Sequence, residues 1–135
     1  DNFFWRGSKA AWRGNDRVIF EGARKGPPGA LYEYSILERA AVLFHNHEGP
    51  NNHIFNPNIG SENMKNIYFT SHYSEASDLK KMDIATEVSS TVLENVYNPM
   101  FSSDNTSVIY VDRADIKPAS IWAADVSHLI NRDLP

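Results

Sequence analysis

Chemistry in this chain would have to come from a few polar clusters. His45-Asn46-His47-Glu48, with His53 close behind, gathers imidazoles and a carboxylate. These are good zinc ligands, and two histidines one residue apart share a face of a strand. The spacing matches neither the helical His pair of a metalloprotease nor a zinc finger. The stretch therefore reads as a polar loop without a metal, or as polar contacts to a ligand. Arg6 directly follows Phe3-Phe4-Trp5, where a strand should be buried, and a buried arginine is rare unless paired. It is either an edge arginine reaching water or a clamp for a phosphate or carboxylate. Thr70-Ser71, at the end of a strand-like run, is either a helix-capping pair or two hydroxyls bracing a pocket.

Other chemistries fall away. A serine hydrolase carries its nucleophile in Gly-x-Ser-x-Gly, whereas Gly60-Ser61 lacks the second glycine and Gly7-Ser8 has no obvious base. Gly22 to Gly29 has neither the Lys-Ser/Thr ending of a P-loop nor the dinucleotide fingerprint, so kinase and dehydrogenase readings go with it. The acidic residues form no local pair spaced for glycosidase work. With no cysteine in the chain, thiol catalysis, thiolate metal sites and disulfides are excluded.

The elements that must position these groups read as a mixture. Phe3 to Trp5 is a short strand candidate and Arg17 to Phe20 a second apolar piece, followed by a Gly/Pro loop over Glu21 to Gly29. Leu31 to Phe44 carries Ile36, Leu37, Ala40, Leu43 and Phe44 at the three-and-four spacing of a helix face. Gly49-Pro50 ends it and opens a loop reaching Lys65. Asn66 to Ser71 is a strand. Ser74 then caps a helix to about Tyr97, with Leu79, Met82, Ala85, Val88, Val92 and Val96 on one face and Asp78 and Asp83 on its solvated side. Val108-Ile109-Tyr110-Val111 is the strongest strand signal, Ile121 to Ala124 another, and Val126 to Ile130 a short terminal helix. Neither an internal repeat nor a low-complexity stretch is visible. The order of elements predicts a mixed chain, assigned to the α+β class.

At 135 residues the chain has room for one domain. With 41% hydrophobic and 22% charged residues it is neither disordered nor collagen-like. No apolar run approaches the roughly 18 residues of a membrane span. A net charge of -4 gives no global attraction for phosphate backbones, so nucleic acid is not an expected partner.

Three blocks, taken in order, resemble the cholera and heat-labile enterotoxin class of mono-ADP-ribosyltransferases. Trp5-Arg6-Gly7-Ser8 is similar to the family's first strand, aromatic-Arg-x-Asp/Ser. Tyr68-Phe69-Thr70-Ser71, leading to Ser74, Ala76 and Leu79, is similar to its Ser-Thr-Ser strand, with Phe69 in place of the first serine. Ser107 to Val111, with Ala114 and Ile116 behind it, looks like the family's Tyr-Ile-Tyr-Val strand. Leu43 to Gly49 is similar to the Leu-Tyr-Asp-His segment beside the cofactor. The Trp5 to Lys9 turn also resembles the rifampin-modifying members of the wider superfamily.

The resemblance implies split, strongly bent β-sheets with flanking helices, forming one domain over residues 1–135 with NAD in the cleft. It implies an NAD-dependent mono-ADP-ribosyltransferase of secreted toxin or effector type. Such a protein acts inside a host cell on a host protein, with room for a delivery subunit. Carried over, Arg6, Gly7 and Ser8 would contact NAD, Thr70 and Ser71 would hold the nicotinamide-side strand, and His45 or His47 would line the pocket. The family's Glu-x-Glu or Gln-x-Glu after the third block is missing, since no glutamate follows Asp115. Either the chain stops before the catalytic strand, or the carboxylate comes from elsewhere, or this is an inactive effector or binding module on the same fold.

Overall fold

The computed structural model describes residues 9–23, 29–47, 49, 51–59, 65–73, 76–112 and 120–126. Among them the chain forms eleven β-strands and no helix. The first sheet is β1 (Ala11–Arg13), β2 (Arg17–Gly22), β3 (Ala30–Ser35) and β4 (Ala40–His45). The second is β5 (Asn52–Ile59), β6 (Asn66–Tyr73), β7 (Ala76–Asp83) and β8 (Ser89–Leu93). The third contains β9 (Val96–Phe101), β10 (Ser107–Asp112) and β11 (Ser120–Asp125). Each sheet is an antiparallel meander in chain order.

The sheets stack face to face with the second in the middle. Ile19 and Leu31 of the first sheet meet Ile54, Ile67, Phe69 and Met82 of the second in one apolar cluster. Tyr68 and Leu79 of the second meet Val96, Val108 and Val126 in the other. Successive side chains on a strand point to opposite faces. On β6, Ile67 and Phe69 therefore serve the first interface and Tyr68 the second.

The three sheets are copies of one unit, opening at Ala11, Asn52 and Val96, a repeat of roughly 40 residues. The residue after each third strand makes the same backbone bond to the connection between the first two strands. Ile36 N donates to Asp16 O at 2.8 Å, Ile84 N to Lys65 O at 2.8 Å and Val126 N to Thr106 O at 2.7 Å. In the first two sheets the following turn is built alike. Glu38 N donates to Ser35 Oγ at 3.2 Å and Thr86 N to Asp83 Oδ1 at 2.9 Å. The next residues, Arg39 and Glu87, both take positive φ. Thr86 also lowers the pKa of Asp83, through its amide and its hydroxyl. Between the first strands of the third sheet, Asp104 accepts from Ser102 Oγ at 2.6 Å and from the Thr106 amide and hydroxyl at 3.1 and 2.8 Å. These bonds, the Ser102 hydroxyl foremost, pull its carboxyl down to about 2.

Equivalent residues in the three copies are buried according to what stands beside their sheet. Ile19, Tyr68 and Ile109 face the following sheet; the first two are buried, and Ile109 is 48% exposed. Leu31, Leu79 and Ile121 behave alike, with Ile121 80% exposed. Ile36, Ile84 and Val126 face the preceding sheet; here Val126 is fully buried, Ile84 packs on the core, and Ile36 is 44% exposed.

The α+β expectation with flanking helices is therefore overturned. The predicted helix over Leu31 to Phe44 is the β3–β4 hairpin, whose turn carries Leu37 at its exposed tip. The predicted helix from Ser74 to Tyr97 is β7, β8 and the start of β9. Leu79 and Met82, three residues apart, had suggested one helical face. They lie on opposite faces of β7, each buried in a different cluster. The loop expected up to Lys65 contains β5, and the repeat went unseen. The strands expected over residues 66–71, 108–111 and 121–124 are present as parts of β6, β10 and β11. The first predicted strand, over residues 3–5, lies outside the described residues, as do residues 127–130 of the terminal helix.

Candidate binding site

The first strands β1, β5 and β9 lie side by side at one edge of the stack, β5 touching both of the others. Two of them share a device. Phe55-Asn56-Pro57-Asn58-Ile59 and Tyr97-Asn98-Pro99-Met100-Phe101 each place an extra residue against the neighbouring strand, shifting its register. Asn56 and Asn98 sit at φ 51° and 49°, a region asparagine tolerates better than most residues. Proline follows without loss of a ladder bond, because an unpaired bulge on an edge strand needs no donor there.

Between these bulges lies a cleft of about 380 Å³ lined by Lys9, Asn56, Pro57, Asn58, Pro99 and Asn105, with Met100, Phe101, Ser102 and Ser103 around it. Its amides are fixed. Lys9 N donates to Asn56 Oδ1 at 3.4 Å, Asn58 Nδ2 to Asn105 Oδ1 at 2.9 Å, and Asn105 Nδ2 to Ile59 O at 3.0 Å. Asn105 thereby ties the turn of the third sheet to the first strand of the second. No carboxylate is among the described residues lining the cleft, and Lys9 is the one charged side chain there. Such a surface offers amide donors and acceptors together with proline and aromatic surface, and lacks an obvious acid–base pair.

A second cleft of about 440 Å³ opens beside Gly49, Asn51, Asn52, Tyr73, Asp78, Lys80 and Thr91. Its acid is already engaged. Tyr73 OH donates to Asp78 Oδ2 at 3.0 Å and Asn95 N to Asp78 Oδ1 at 3.1 Å. The hydrogen bond to Asp78, and then its charge, raise the Tyr73 phenol above its ordinary value.

Among the described residues, none of the sequence-predicted ones lines either cleft. Arg6, Gly7 and Ser8 lie outside the described residues. His45 ends β4 with its ring 5.3 Å from Phe69, between the first and second sheets. His47 is half-buried in the β4–β5 connection, its Nδ1 2.6 Å from Gly49 O. His53 accepts from Gly29 N at 3.1 Å. Ser71 is fully buried and donates to Asn52 Oδ1 at 3.0 Å. Its neighbour Thr70 faces the other way, so the two hydroxyls brace no common pocket. Among the described residues no group of His, Asp and Glu could hold a metal ion.

Thr70 Oγ1 is buried without a hydrogen-bond partner, a costly state for a hydroxyl. Thr70→Val keeps the shape and removes that cost. Its expected effect is a gain of about 1 kcal/mol in unfolding free energy, read as a higher urea midpoint at unchanged slope. A loss of stability would mean that the hydroxyl has a partner.

No protein-family model and no curated protein matches this sequence. Solved structures do. TolB from Acinetobacter baumannii matches with a TM-score of 0.67 at 12% identity, over 89% of this chain and 30% of that one. TolB of Agrobacterium tumefaciens, described as putative, gives 0.65 at 13%, over 91% and 47%. The β-propeller domain of the trilobed protease from Pyrococcus furiosus, which has an open velcro topology, gives 0.57 at 18%, over 90% and 39%. The fold is that of a β-propeller. Its three sheets are blades, and the chain spans less than half the length of each of these structures.

The likeness overturns the ADP-ribosyltransferase reading, and with it the toxin or effector function and the split-sheet fold. Two of the blocks that carried the resemblance, Tyr68 to Ser71 and Val108 to Val111, are the equivalent second strands of successive blades. NAD entered only through that resemblance and loses its support there. Among the described residues no helix is long and apolar enough to cross a membrane. The residues lining the first cleft escaped sequence reading, although the recurrence of aromatic-Asn-Pro-x-apolar at Phe55 and Tyr97 was the signal that could have found them.

Proposed function

We propose that this chain is a non-catalytic binding module whose cleft between the second and third blades receives an extended, uncharged polypeptide segment. The observation that carries this is the pair of Asn-Pro bulges, which turn two edge strands into a cleft walled by fixed amides. A peptide backbone presents alternating donors and acceptors, and side-chain amides can answer both. Pro57, Pro99 and Phe101 supply apolar surface for its side chains. The similar propeller of the trilobed protease belongs to a protein that acts on polypeptides, which agrees with this ligand class.

Asn56→Gly separates recognition from backbone geometry, because glycine keeps the positive φ while the amide is lost. With a pool of unstructured, uncharged decapeptides as probe, amide chemical shifts should move at Asn56, Asn58, Met100 and Asn105. The substitution should weaken affinity about tenfold, or roughly 1.4 kcal/mol. Shifts confined to other residues, or an affinity untouched by Asn56→Gly, would refute the assignment.

A further inference from the structure

The face that the second blade turns to the first changes character along its strands. Ile54, Phe69 and Met82 lie in the apolar cluster between these blades. Closer to the β6–β7 turn, Asn52, Tyr73, Asp78 and Lys80 occupy the same face, because residues an even number of positions apart on a strand share one. They wall the cleft of about 440 Å³, with Gly49 and Thr91 at its sides. This polar row is particular to the second blade. The registers put Ala30 and Ser120 where Asp78 stands, and Tyr32 and Trp122 where Lys80 stands. The repeating blade therefore does not require it.

The hydrogen-bonding groups of this row are already oriented. Asn52 is buried, and its side-chain oxygen accepts from the Ser71 hydroxyl at 3.0 Å. Its NH2 is thereby turned away from Ser71 and has no partner among the described residues. Asp78 is buried too and takes Tyr73 OH on one oxygen and Asn95 N on the other. Each carboxylate oxygen has room for a second donor. Tyr73 gives its proton to Asp78 and keeps an accepting oxygen, while its ring is exposed. Asp78 and Lys80 bring one charge of each sign, so the cleft selects neither an anion nor a cation. We propose that it binds one ring of a neutral carbohydrate. Sugar hydroxyls, each both donor and acceptor, donate to Asp78 and accept from Asn52, and the C–H face of the ring packs on Tyr73. The volume is that of a small-molecule site with a few convergent polar groups. The cleft shares no residue with the one between the second and third blades, so this inference is independent of the peptide-binding reading.

Titration with glucose, galactose, mannose and N-acetylglucosamine, followed by amide chemical shifts, tests it. At millimolar concentration at least one of these sugars should move the signals of Asn52, Tyr73, Asp78 and Thr91 to saturation and leave those of Asn56 and Asn105 in place. Asn52→Asp keeps an oxygen for Ser71 and puts an acceptor where the NH2 donates. It should weaken binding of that sugar about tenfold. Tyr73→Ala removes an exposed ring, so the fold should persist while affinity falls by about the same factor. Should Asn52→Asp fail to fold, Tyr73→Ala decides alone. No saturable shift at these residues with any of the sugars, or an affinity untouched by Tyr73→Ala, would overturn the assignment. So would glycine moving the same signals in place of the sugars, because Asp78 and Lys80 would then be holding an ammonium and a carboxylate.

Discussion

Phe69→Ala should lower the unfolding free energy by about 3–5 kcal/mol, and Phe20→Ala, at the equivalent position one blade earlier, by clearly less. Both aromatic rings sit third from the start of the apolar run on the second strand of a blade. Phe69 is fully buried in the cluster between the first two blades, in contact with the His45 ring. Its removal leaves a cavity walled by Ile54, Ile67 and Met82, which rigid sheets on both sides cannot close. Phe20 lies on the outer face of the first blade, only partly covered, with its ring 6.1 Å from that of Tyr32. Water can fill the space it leaves. Urea unfolding should therefore give two separate midpoints. Equal losses would mean that the outer face is covered within the single chain.

That comparison also shows why the elements were unevenly legible. β6, β10 and β11 could be read because their apolar, β-branched and aromatic runs are unbroken. Burial on both faces hid β7. Leu79 and Met82 serve different clusters, so their three-residue spacing imitates a helix although the chain is extended. On β3 and β4 the imitation comes from folding back. Ile36 and Leu37 lie in the turn and Ala40, Leu43 and Phe44 on the returning strand, yet their numbers fit a helical stripe. β5 was hidden by its own composition, since Asn56 and Pro57 are turn residues by propensity and become strand residues only as a bulge.

The repeat was missed because it is carried by roles more than by identities. Ser35 and Asp83 accept the same kind of amide hydrogen bond with different side-chain oxygens. Ile36, Ile84 and Val126 make one backbone bond that no side chain specifies. The candidate site was harder still, because Asn56, Asn58 and Asn105 come from two blades and meet only after these stack. The histidine stretch was visible in composition, but the structure spends His45 on an aromatic contact between blades and leaves His47 in a surface turn.

Glu33 supplies the second large effect. Its nearly buried carboxylate takes Arg13 Nη1 at 2.6 Å on one oxygen and Arg17 Nη1 at 2.9 Å on the other. The Arg13 guanidinium also lies 5.5 Å from the centre of the Phe44 ring. Glu33→Ala removes the acceptor for both and leaves a void against the second blade, with an expected loss of about 2–3 kcal/mol. The figure stays below that for a fully buried ion pair, because both arginines keep contact with water and can be solvated once released. Glu33→Leu separates charge from volume. Leucine fills the space and extends the apolar cluster formed by Ile19 and Leu31, while the arginines turn outward. Its expected cost is under about 1 kcal/mol, since a well-packed apolar side chain often replaces a buried ion without loss. Chemical denaturation of the two variants side by side, at low and high salt, is the measurement. If Leu costs as much as Ala and salt erodes the wild-type advantage, the triad stabilises through its charges. If Leu is close to wild type at both salt levels, the carboxylate serves to hold Arg13 and Arg17 in place, and the packing of blade on blade carries the stability.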